Sequence, residues 1–242
     1  MMKALIGFLI LALSFCAQAS SNSSVDLGDA DADVFDLESV RRGAAAYVNY
    51  CVGCHSVKHL RYSRLGADLK LKEDDLRKDV LLDGLKIQDS LLSAMDKEDA
   101  QEWFGVEPPD LSLIARARGV DWLYGYLKGF YADPSRPSGV NNVVFPDVGM
   151  PNVLWELQGL QKAVHNAKGD DKAITRLELA QPGKLTPKQY DQFVNDLVAF
   201  LSYAGEPSQY QRLRLGKYVI FGLLILAVLF YKLKKAYWEG VE

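Results

Sequence analysis

The chain has 242 residues and a formal net charge of −3 at pH 7. This length allows one large or two small domains, and the slightly acidic balance gives no sign of a basic binding surface, so we expect no nucleic acid partner. Glycine and proline contents are ordinary, and no internal repeat is found. The informative features are local: two apolar ends, a few cysteines and several short motifs.

The first 19 residues have the composition of a secretory signal peptide. Lys3 gives the positive start, an apolar run covers 4–15, and Ala-Gln-Ala at 17–19 is typical of a cleavage site. Lipidation at Cys16 and an uncleaved anchor are the alternatives, but the fit to a lipoprotein signal is poor and the apolar run is short. The signal peptide would direct export of the chain, and its cleavage after position 19 would remove Cys16 and leave two cysteines.

Those two cysteines lie in the sequence Cys-Val-Gly-Cys-His at 51–55, a C-x-x-C-H pattern that is typical of haem attachment. Cys51 and Cys54 lie on the same side of a helical turn and would bind the two vinyl groups of one haem c, with His55 ligating the iron. A zinc half-site would need a second ligand cluster, and a thioredoxin-like redox pair would need a βαβ pattern. The sequence offers neither, so we predict covalent haem.

A sixth iron ligand is sought among the methionines and the other histidines. Met150 lies between Gly149 and Pro151, in a loop-like segment, and a thioether suits haem iron. Met95 lies in an apolar segment with a helical pattern, where a core role is expected. His59 is too close to the motif to reach the opposite haem face, and His165 lies in a polar segment. Met150 is therefore the predicted ligand.

Helices are predicted on both sides of the motif. Ser39 is the predicted cap of one helix, which ends at Tyr50 and places Tyr47 one turn before Cys51. The Tyr47 ring could flank the haem or simply pack in the core. A further helix over 111–118 would be capped by Asp110.

Two arginines of that helix are candidates for the haem propionates, because a guanidinium matches a carboxylate bidentately. They are Arg116 and Arg118; an ordinary surface role is the alternative for each. Another helix is predicted over 121–131 and a loop over 132–150, while 56–104 shows no clear pattern.

The last two predicted helices are apolar. A capping pattern at 186–189 begins a helix that ends at 204, and its apolar stripe should pack across the helix before the motif. A second stretch, 215–233, has about the 20 residues that cross a membrane. Positive charges flank it equally on both sides, so the signal peptide sets the orientation, with a cytoplasmic tail at 234–242.

The remaining boundaries follow from these elements. Residues 20–38 form an acidic leader, which is either solvated chain or a fringe that steers a basic partner. Residues 39–205 form the exported, periplasmic haem domain, and 206–214 form a linker to the anchor.

Several blocks together resemble the cytochrome c1 family, the haem subunits of the quinol–cytochrome c reductase (bc1) complex, of the kind found in Gram-negative bacteria. The blocks are Arg41-Arg42-Gly43 with Tyr47 before the haem motif, Pro108-Pro109-Asp110-Leu111-Ser112 with Arg116-Ala117-Arg118, the methionine segment 145–158, and Gly205-Glu206-Pro207 before the anchor. The resemblance covers nearly the whole mature chain.

The resemblance implies a mainly α fold: a class I cytochrome c-like haem domain with loop insertions, plus one C-terminal transmembrane helix. It implies that His55 and Met150 hold the iron, that Arg118 meets a propionate and that Trp122 stands near the haem, with Pro109 also in the haem surroundings. Some bacterial members brace the methionine loop with a disulfide. This chain has no cysteines for one, so we expect packing instead, by Pro146, Pro151 and Trp155.

The implied function is one-electron transfer in the inner membrane. Electrons would arrive from the Rieske iron–sulfur protein and leave to a soluble c-type cytochrome, with the anchor beside cytochrome b in the lipid bilayer of a dimeric complex. The complex is an enzyme, whereas the status of the isolated chain is left open. The alternatives are a stand-alone or oxidase-associated membrane-anchored cytochrome c, and a haem enzyme or sensor with an open iron site.

Overall fold

The computed structural model describes residues 25–166 and 174–240. The predicted signal peptide, 1–19, lies outside the described residues, as do the first positions of the acidic leader and the last two of the tail. The described chain is mainly helical, as expected, and it also contains two-stranded antiparallel sheets.

The helices in chain order are α1 (Leu37–Tyr50), α2 (Tyr62–Asp68), α3 (Glu73–Asp79), α4 (Lys97–Phe104), α5 (Ile114–Arg118), α6 (Val120–Lys128), α7 (Trp155–Gln158), α8 (Pro187–Gly205) and α9 (Gln209–Trp238). The strands are β1 (Val57–Arg61), β2 (Ser90–Leu91), β3 (Phe130–Ala132), β4 (Val140–Asn142), β5 (Gly159–His165) and β6 (Ile174–Pro182). The pairs are β1–β2, β3–β4 and β5–β6.

The described residues divide into two compact units. The first consists of 25–29 and Asp121–Pro187, and the second of Ala30–Val120 and Lys188–Glu242. The second unit therefore contains the C-x-x-C-H motif, and the first contains Met150.

In the second unit, α8 packs across α1, as the apolar stripe predicted. A Cβ atom placed on Gly43 of α1 would lie 1.9 Å from the backbone oxygen of Asp196 in α8, so the absence of a side chain at Gly43 allows the two helices to touch. One turn further on, the rings of Tyr47 and Phe200 lie 5.3 Å apart. The helix that carries the motif is thus held against the longest helix of the core.

A buried polar cluster ties the same two helices together. The Asp196 carboxylate accepts a hydrogen bond from Ser39 Oγ at 2.7 Å and from Arg42 Nε at 2.6 Å. The predicted cap was wrong: Asp36, not Ser39, caps α1, because Asp36 accepts from the backbone N–H of Glu38 and of Ser39. Ser39 instead donates to a residue 157 positions away, which no local pattern could indicate.

The segment 56–104, which the sequence left unassigned, forms short elements around a small apolar core. Strands β1 and β2 pair, and helices α2, α3 and α4 lie between and after them. The core side chains here include Leu60, Tyr62, Leu65, Leu69 and Leu91. The predicted helical surroundings of Met95 are not found, because Met95 lies in an irregular stretch between β2 and α4.

In the first unit, α6 is shorter than the predicted 121–131 helix. It ends at Lys128, and Phe130–Ala132 instead pairs as a strand with Val140–Asn142, inside the predicted loop. A Cβ atom on Gly129 would lie 2.8 Å from the carbonyl oxygen of Gly125, which explains the tight exit from the helix. The longer β5–β6 ladder follows α7.

Helix α9 has 30 residues, none of them buried, and a mean hydropathy of 2.1 in its most apolar window. By length and composition it can cross a membrane. It begins at Gln209, ahead of the predicted anchor at 215–233, because the predicted linker continues as helix.

Candidate functional site

The motif at 51–55 continues α1 as one further turn. The carbonyl oxygen of Cys51 accepts from the backbone N–H of Cys54 at 3.0 Å and from that of His55 at 2.8 Å. The cysteine spacing predicted this turn. Both thiols are half-buried, and neither takes part in a disulfide.

Burial keeps the two thiols protonated. It raises the pKa of the Cys51 thiol to about 12, with a further contribution from Cys54, and it also raises the pKa of the Cys54 thiol. The thiolate is the form of cysteine that binds metals and attacks disulfides. Burial therefore favours the thiol form of both residues over the thiolate.

His55 is held at both its ring and its backbone. Its Nδ1 atom lies 2.8 Å from the carbonyl oxygen of Pro109, and the Tyr47 hydroxyl donates to the carbonyl oxygen of His55. A carbonyl can only accept, so the hydrogen bond assigns the ring proton to Nδ1 and leaves the Nε2 lone pair for a metal. Burial also lowers the pKa of His55, against opposing effects of Pro109 and Asp110, and so favours the neutral imidazole.

The loop that carries Pro109 is anchored by Asp110. Its carboxylate accepts from the backbone N–H of Lys58 and of Ser112, each at 3.0 Å. Burial opposes a charge there, but these hydrogen bonds outweigh it and hold the pKa of Asp110 below its usual value. Asp110 therefore caps a turn, and α5 itself begins at Ile114 rather than at the predicted 111.

Two serines that the sequence did not single out also support the motif. Ser93 Oγ donates to the carbonyl oxygen of Gly53 at 2.8 Å, and the backbone N–H of Ser93 donates to Ser56 Oγ at 2.9 Å. These contacts join the motif to the stretch after β2, 37 to 40 residues away. Serines carry no spacing signal, so only the fold reveals this role.

The two candidate propionate arginines differ in their surroundings. Arg118 is exposed in the last turn of α5. Arg116 instead forms an ion pair with Glu206 at 2.6 Å, and Glu206 also pairs with Arg212 at 2.5 Å. Arg116 thus joins α5 to the junction of α8 and α9 through Glu206, a partner that no local sequence pattern indicates.

Met150 has a distinctive neighbour in its own unit. The Tyr126 hydroxyl donates to Met150 Sδ at 3.3 Å. The Trp122 ring stacks on that of Tyr126, with centroids 5.0 Å apart and planes 12° from parallel. Trp122, predicted near the haem, is therefore separated from Met150, the predicted ligand, by the side chain of Tyr126. The sequence did not indicate a role for Tyr126, because Met150 lies 24 residues away.

The methionine loop is braced mainly by two buried asparagines. Asn141 Oδ1 accepts from the backbone N–H of Asp147 at 2.9 Å, and Asn142 Oδ1 accepts from that of Val144 at 2.9 Å. Packing by Trp155, which we expected, is not the means, because this side chain is 51% exposed. Side-chain amides can satisfy loop N–H groups that have no partner in secondary structure.

The donor set of the motif fits a covalently held haem: two thiols on one turn and an imidazole whose Nε2 is left for iron. Cys51, Cys54, His55, Tyr47, Pro109 and Arg118 belong to the second unit, and Met150 and Trp122 to the first.

Comparison with known proteins identifies the family of this chain. The Cytochrome C1 family model matches residues 29–241. Cytochrome c1 of Allochromatium vinosum is 46% identical over the full length of both chains. The ammonia monooxygenase gamma subunit of Nitrosomonas europaea is 44% identical over 98% of this chain and 99% of its own. Cytochrome c1 of Rhodospirillum rubrum is 28% identical over 86% of this chain and 84% of its own. The chain therefore belongs to the cytochrome c1 family.

Proposed function

We propose that this chain is the haem-carrying, one-electron subunit of a quinol–cytochrome c reductase (bc1) complex. The observation that carries the proposal is His55, whose Nδ1 is held by the Pro109 carbonyl beside two free thiols, in a chain of the cytochrome c1 family. This arrangement supports an imidazole that is fixed in one tautomer and ready to bind iron.

Cys51 and Cys54 would bind one haem c through thioether bonds, and His55 and Met150 would be its axial ligands. Bound haem supplies a one-electron couple, and the protein supplies position and electrostatics. A histidine–methionine pair raises the reduction potential of haem relative to stronger donor sets. It also leaves no coordination position on the iron for a substrate. The isolated chain would therefore carry electrons, and catalysis would belong to the assembled complex.

The partners follow from the family. Electrons would arrive from the Rieske iron–sulfur protein and leave to a soluble c-type cytochrome, and α9 would lie in the bilayer beside cytochrome b. Helix α9 supports a membrane anchor by its length and hydropathy. The predicted signal peptide supports a periplasmic haem domain and a cytoplasmic C-terminus.

Covalent attachment is tested by haem staining of the protein on a denaturing gel. The wild-type band should keep its haem, and Cys51→Ala together with Cys54→Ala should remove it. Ser93→Ala removes the hydroxyl that donates to the Gly53 carbonyl but leaves both cysteines in place, so it should keep the stain. A wild-type band without stain would contradict haem attachment.

The methionine ligand is tested by the near-infrared absorption band of a sulfur-to-iron bond. Met150→Leu should abolish this band, and Met95→Leu should leave it intact. A wild-type protein that lacks the band, or that binds carbon monoxide readily when reduced, would favour the open-site haem enzyme or sensor.

The choice of complex needs its own experiment, because one relative at 44% identity is named as a subunit of a different enzyme. The tagged chain should be purified from its native membrane in mild detergent. Co-purification of cytochrome b and a Rieske protein would support the proposal. A chain that purifies alone, or together with an oxidase or a monooxygenase, would contradict its assignment to a bc1 complex.

A further inference from the structure

The junction between α8 and α9 is a short turn inside the second unit. Helix α8 ends at Gly205 and α9 begins at Gln209, so residues 206–208 lie between the two helices. Pro207 lacks the backbone N–H that a continuous helix would need. A break of this kind allows two helices to bend against each other, so the contacts at the turn decide how firmly the anchor is attached.

Glu206 lies at the centre of the first set of contacts. Its carboxylate pairs with Arg116 of α5 at 2.6 Å and with Arg212 of α9 at 2.5 Å. Only 19% of the Glu206 side chain is exposed. The stem of Arg116 also covers the end of α8, because a Cβ atom on Gly205 would lie 3.2 Å from Arg116 Cγ. One carboxylate therefore joins α5, the end of α8 and the first turn of α9.

A second set of contacts holds the same turn from α2. The Arg64 guanidinium donates to the backbone carbonyl of Pro207 at 3.3 Å and to the Asp68 carboxylate at 2.5 Å. The Tyr203 hydroxyl donates to the same carboxylate at 2.9 Å. Helices α2 and α5 thus both contact the turn, although neither is adjacent to it in sequence.

We propose that Glu206 is a positioning residue that holds α5 against the first turn of α9 and so fixes the angle between the anchor and the part of the second unit that carries the C-x-x-C-H motif. An isolated surface ion pair contributes little, but a shielded carboxylate shared by two guanidinium groups makes charge-assisted hydrogen bonds, which are the stronger kind. The inference rests on the proposed membrane anchor and not on the haem ligands. For an electron carrier, a fixed angle gives its haem a defined place above the membrane.

Limited trypsin digestion of right-side-out native membrane vesicles tests this role. A cut after Arg212 or Arg214 releases the exported part of the chain, which an immunoblot of the supernatant detects and mass spectrometry identifies by its C-terminus. Glu206→Gln removes the charge but keeps every trypsin site, so the rate of this release should rise several-fold. Glu73→Gln is the matched control, because it breaks an exposed ion pair with Arg77 within α3, and its rate should equal that of the wild type.

Variants of Arg116 distinguish an ionic contact from a merely structural one. Arg116→Gln should also speed the release, whereas Arg116→Lys keeps the charge and should restore a rate close to that of the wild type. Arg116→Gln combined with Glu206→Gln should release no faster than Glu206→Gln alone, because both changes remove the same interaction. Equal rates for Arg116→Lys and Arg116→Gln would overturn the ionic role.

A measurement on the wild-type protein covers the case in which Glu206→Gln does not assemble. The Debye length falls from about 10 Å at 0.1 M salt to about 3 Å at 1 M, and both arginines are more than half exposed. Added salt should therefore speed the wild-type release several-fold, after correction for the activity of trypsin on a small substrate at each salt concentration.

Two results would overturn the proposal: a wild-type release that salt does not change, or one common rate for Glu206→Gln, Glu73→Gln and the wild type. Because the immunoblot does not use the haem, a band without haem stain would contradict the proposed function and leave the release rates as predicted here. The two failures are therefore distinguishable.

Discussion

Replacement of Gly43 by alanine probes the helix contact that supports the haem motif. The new Cβ atom would lie 1.9 Å from the backbone oxygen of Asp196, 2.6 Å from its carbonyl carbon and 2.8 Å from Phe200 Cβ, whereas ordinary contact begins at 3.4 Å. Two of the three obstacles are backbone atoms of α8, so no side-chain rotation can relieve the clash. The helices α1 and α8 would have to separate.

The cost can be compared with known effects. Alanine is favoured over glycine in a helix by about 1 kcal/mol, while overpacking costs about 1–3 kcal/mol and occasionally more. Because the obstacle is backbone, we expect a net loss of about 3 kcal/mol in the free energy of unfolding. With a typical urea dependence, that loss lowers the urea midpoint by about 1–3 M.

The assay is urea unfolding of the detergent-solubilised protein, followed by far-UV circular dichroism and by haem absorption. Gly66→Ala in α2 is the control, because its Cβ would meet only the flexible end of Leu76, at 3.0 Å. Its midpoint should stay near that of the wild type. A Gly43→Ala midpoint equal to that of Gly66→Ala would refute the close contact of α1 and α8.

Three further changes test other contacts. Asp196→Ala leaves the polar groups of α1 without their buried partner and should cost about 2 kcal/mol in urea unfolding; an unchanged midpoint would show that the cluster does not stabilise the core. Tyr47→Phe keeps the buried ring but loses the hydrogen bond to the carbonyl of His55, so it should cost about 1 kcal/mol, and a loss of several times that value would mean that the ring had also moved. The depressed pKa of Asp110 contributes stability that is present above its unfolded pKa of about 3.9 and is lost as the pH falls through the folded pKa. Asp110→Asn should therefore flatten the acid side of an unfolding-versus-pH curve, and a curve parallel to the wild type would contradict the assigned shift.

Local patterns predicted α8 well. The proline and capping residues at 186–189, followed by an apolar stripe, gave α8 almost to the residue, since it spans Pro187–Gly205. The packing of α8 on α1 also agrees with the apolar stripe of α8, and Gly43 and Phe200 lie at the contact. The turn at 51–55 was predictable from the cysteine spacing alone.

Contacts between distant positions could not be predicted in this way. Ser39 is a residue type that caps helices, yet its hydroxyl donates to the carboxylate of Asp196 in α8. Strands β3 and β4 have three residues each, too few for an alternating pattern to emerge. Each is a strand because its backbone pairs with the other. The helix predicted around Met95 also depends on a distant contact. The segment is irregular there, and Ser93 Oγ donates to the Gly53 carbonyl of the motif and accepts from the backbone N–H of Met95.

The site shows the same division between ligands and supports. Cys51, Cys54, His55 and Met150 could be proposed from residue type and spacing. The groups that hold these ligands could not be proposed in this way. The carbonyl of Pro109 is a backbone group, and the Tyr126 hydroxyl comes near Met150 Sδ only after the chain has passed through β3 and β4.

Quinol-dependent reduction of the haem on this chain tests the proposed place of the chain in a bc1 complex. The tagged complex is purified from its native membrane, mixed with a quinol, and followed by absorption at the haem c band. We predict rapid reduction in the wild type, loss of that reduction when the quinol site of the complex is blocked by an inhibitor, and reoxidation by a soluble c-type cytochrome. A haem on this chain that quinol does not reduce in the intact complex would contradict electron transfer by this chain within a bc1 complex.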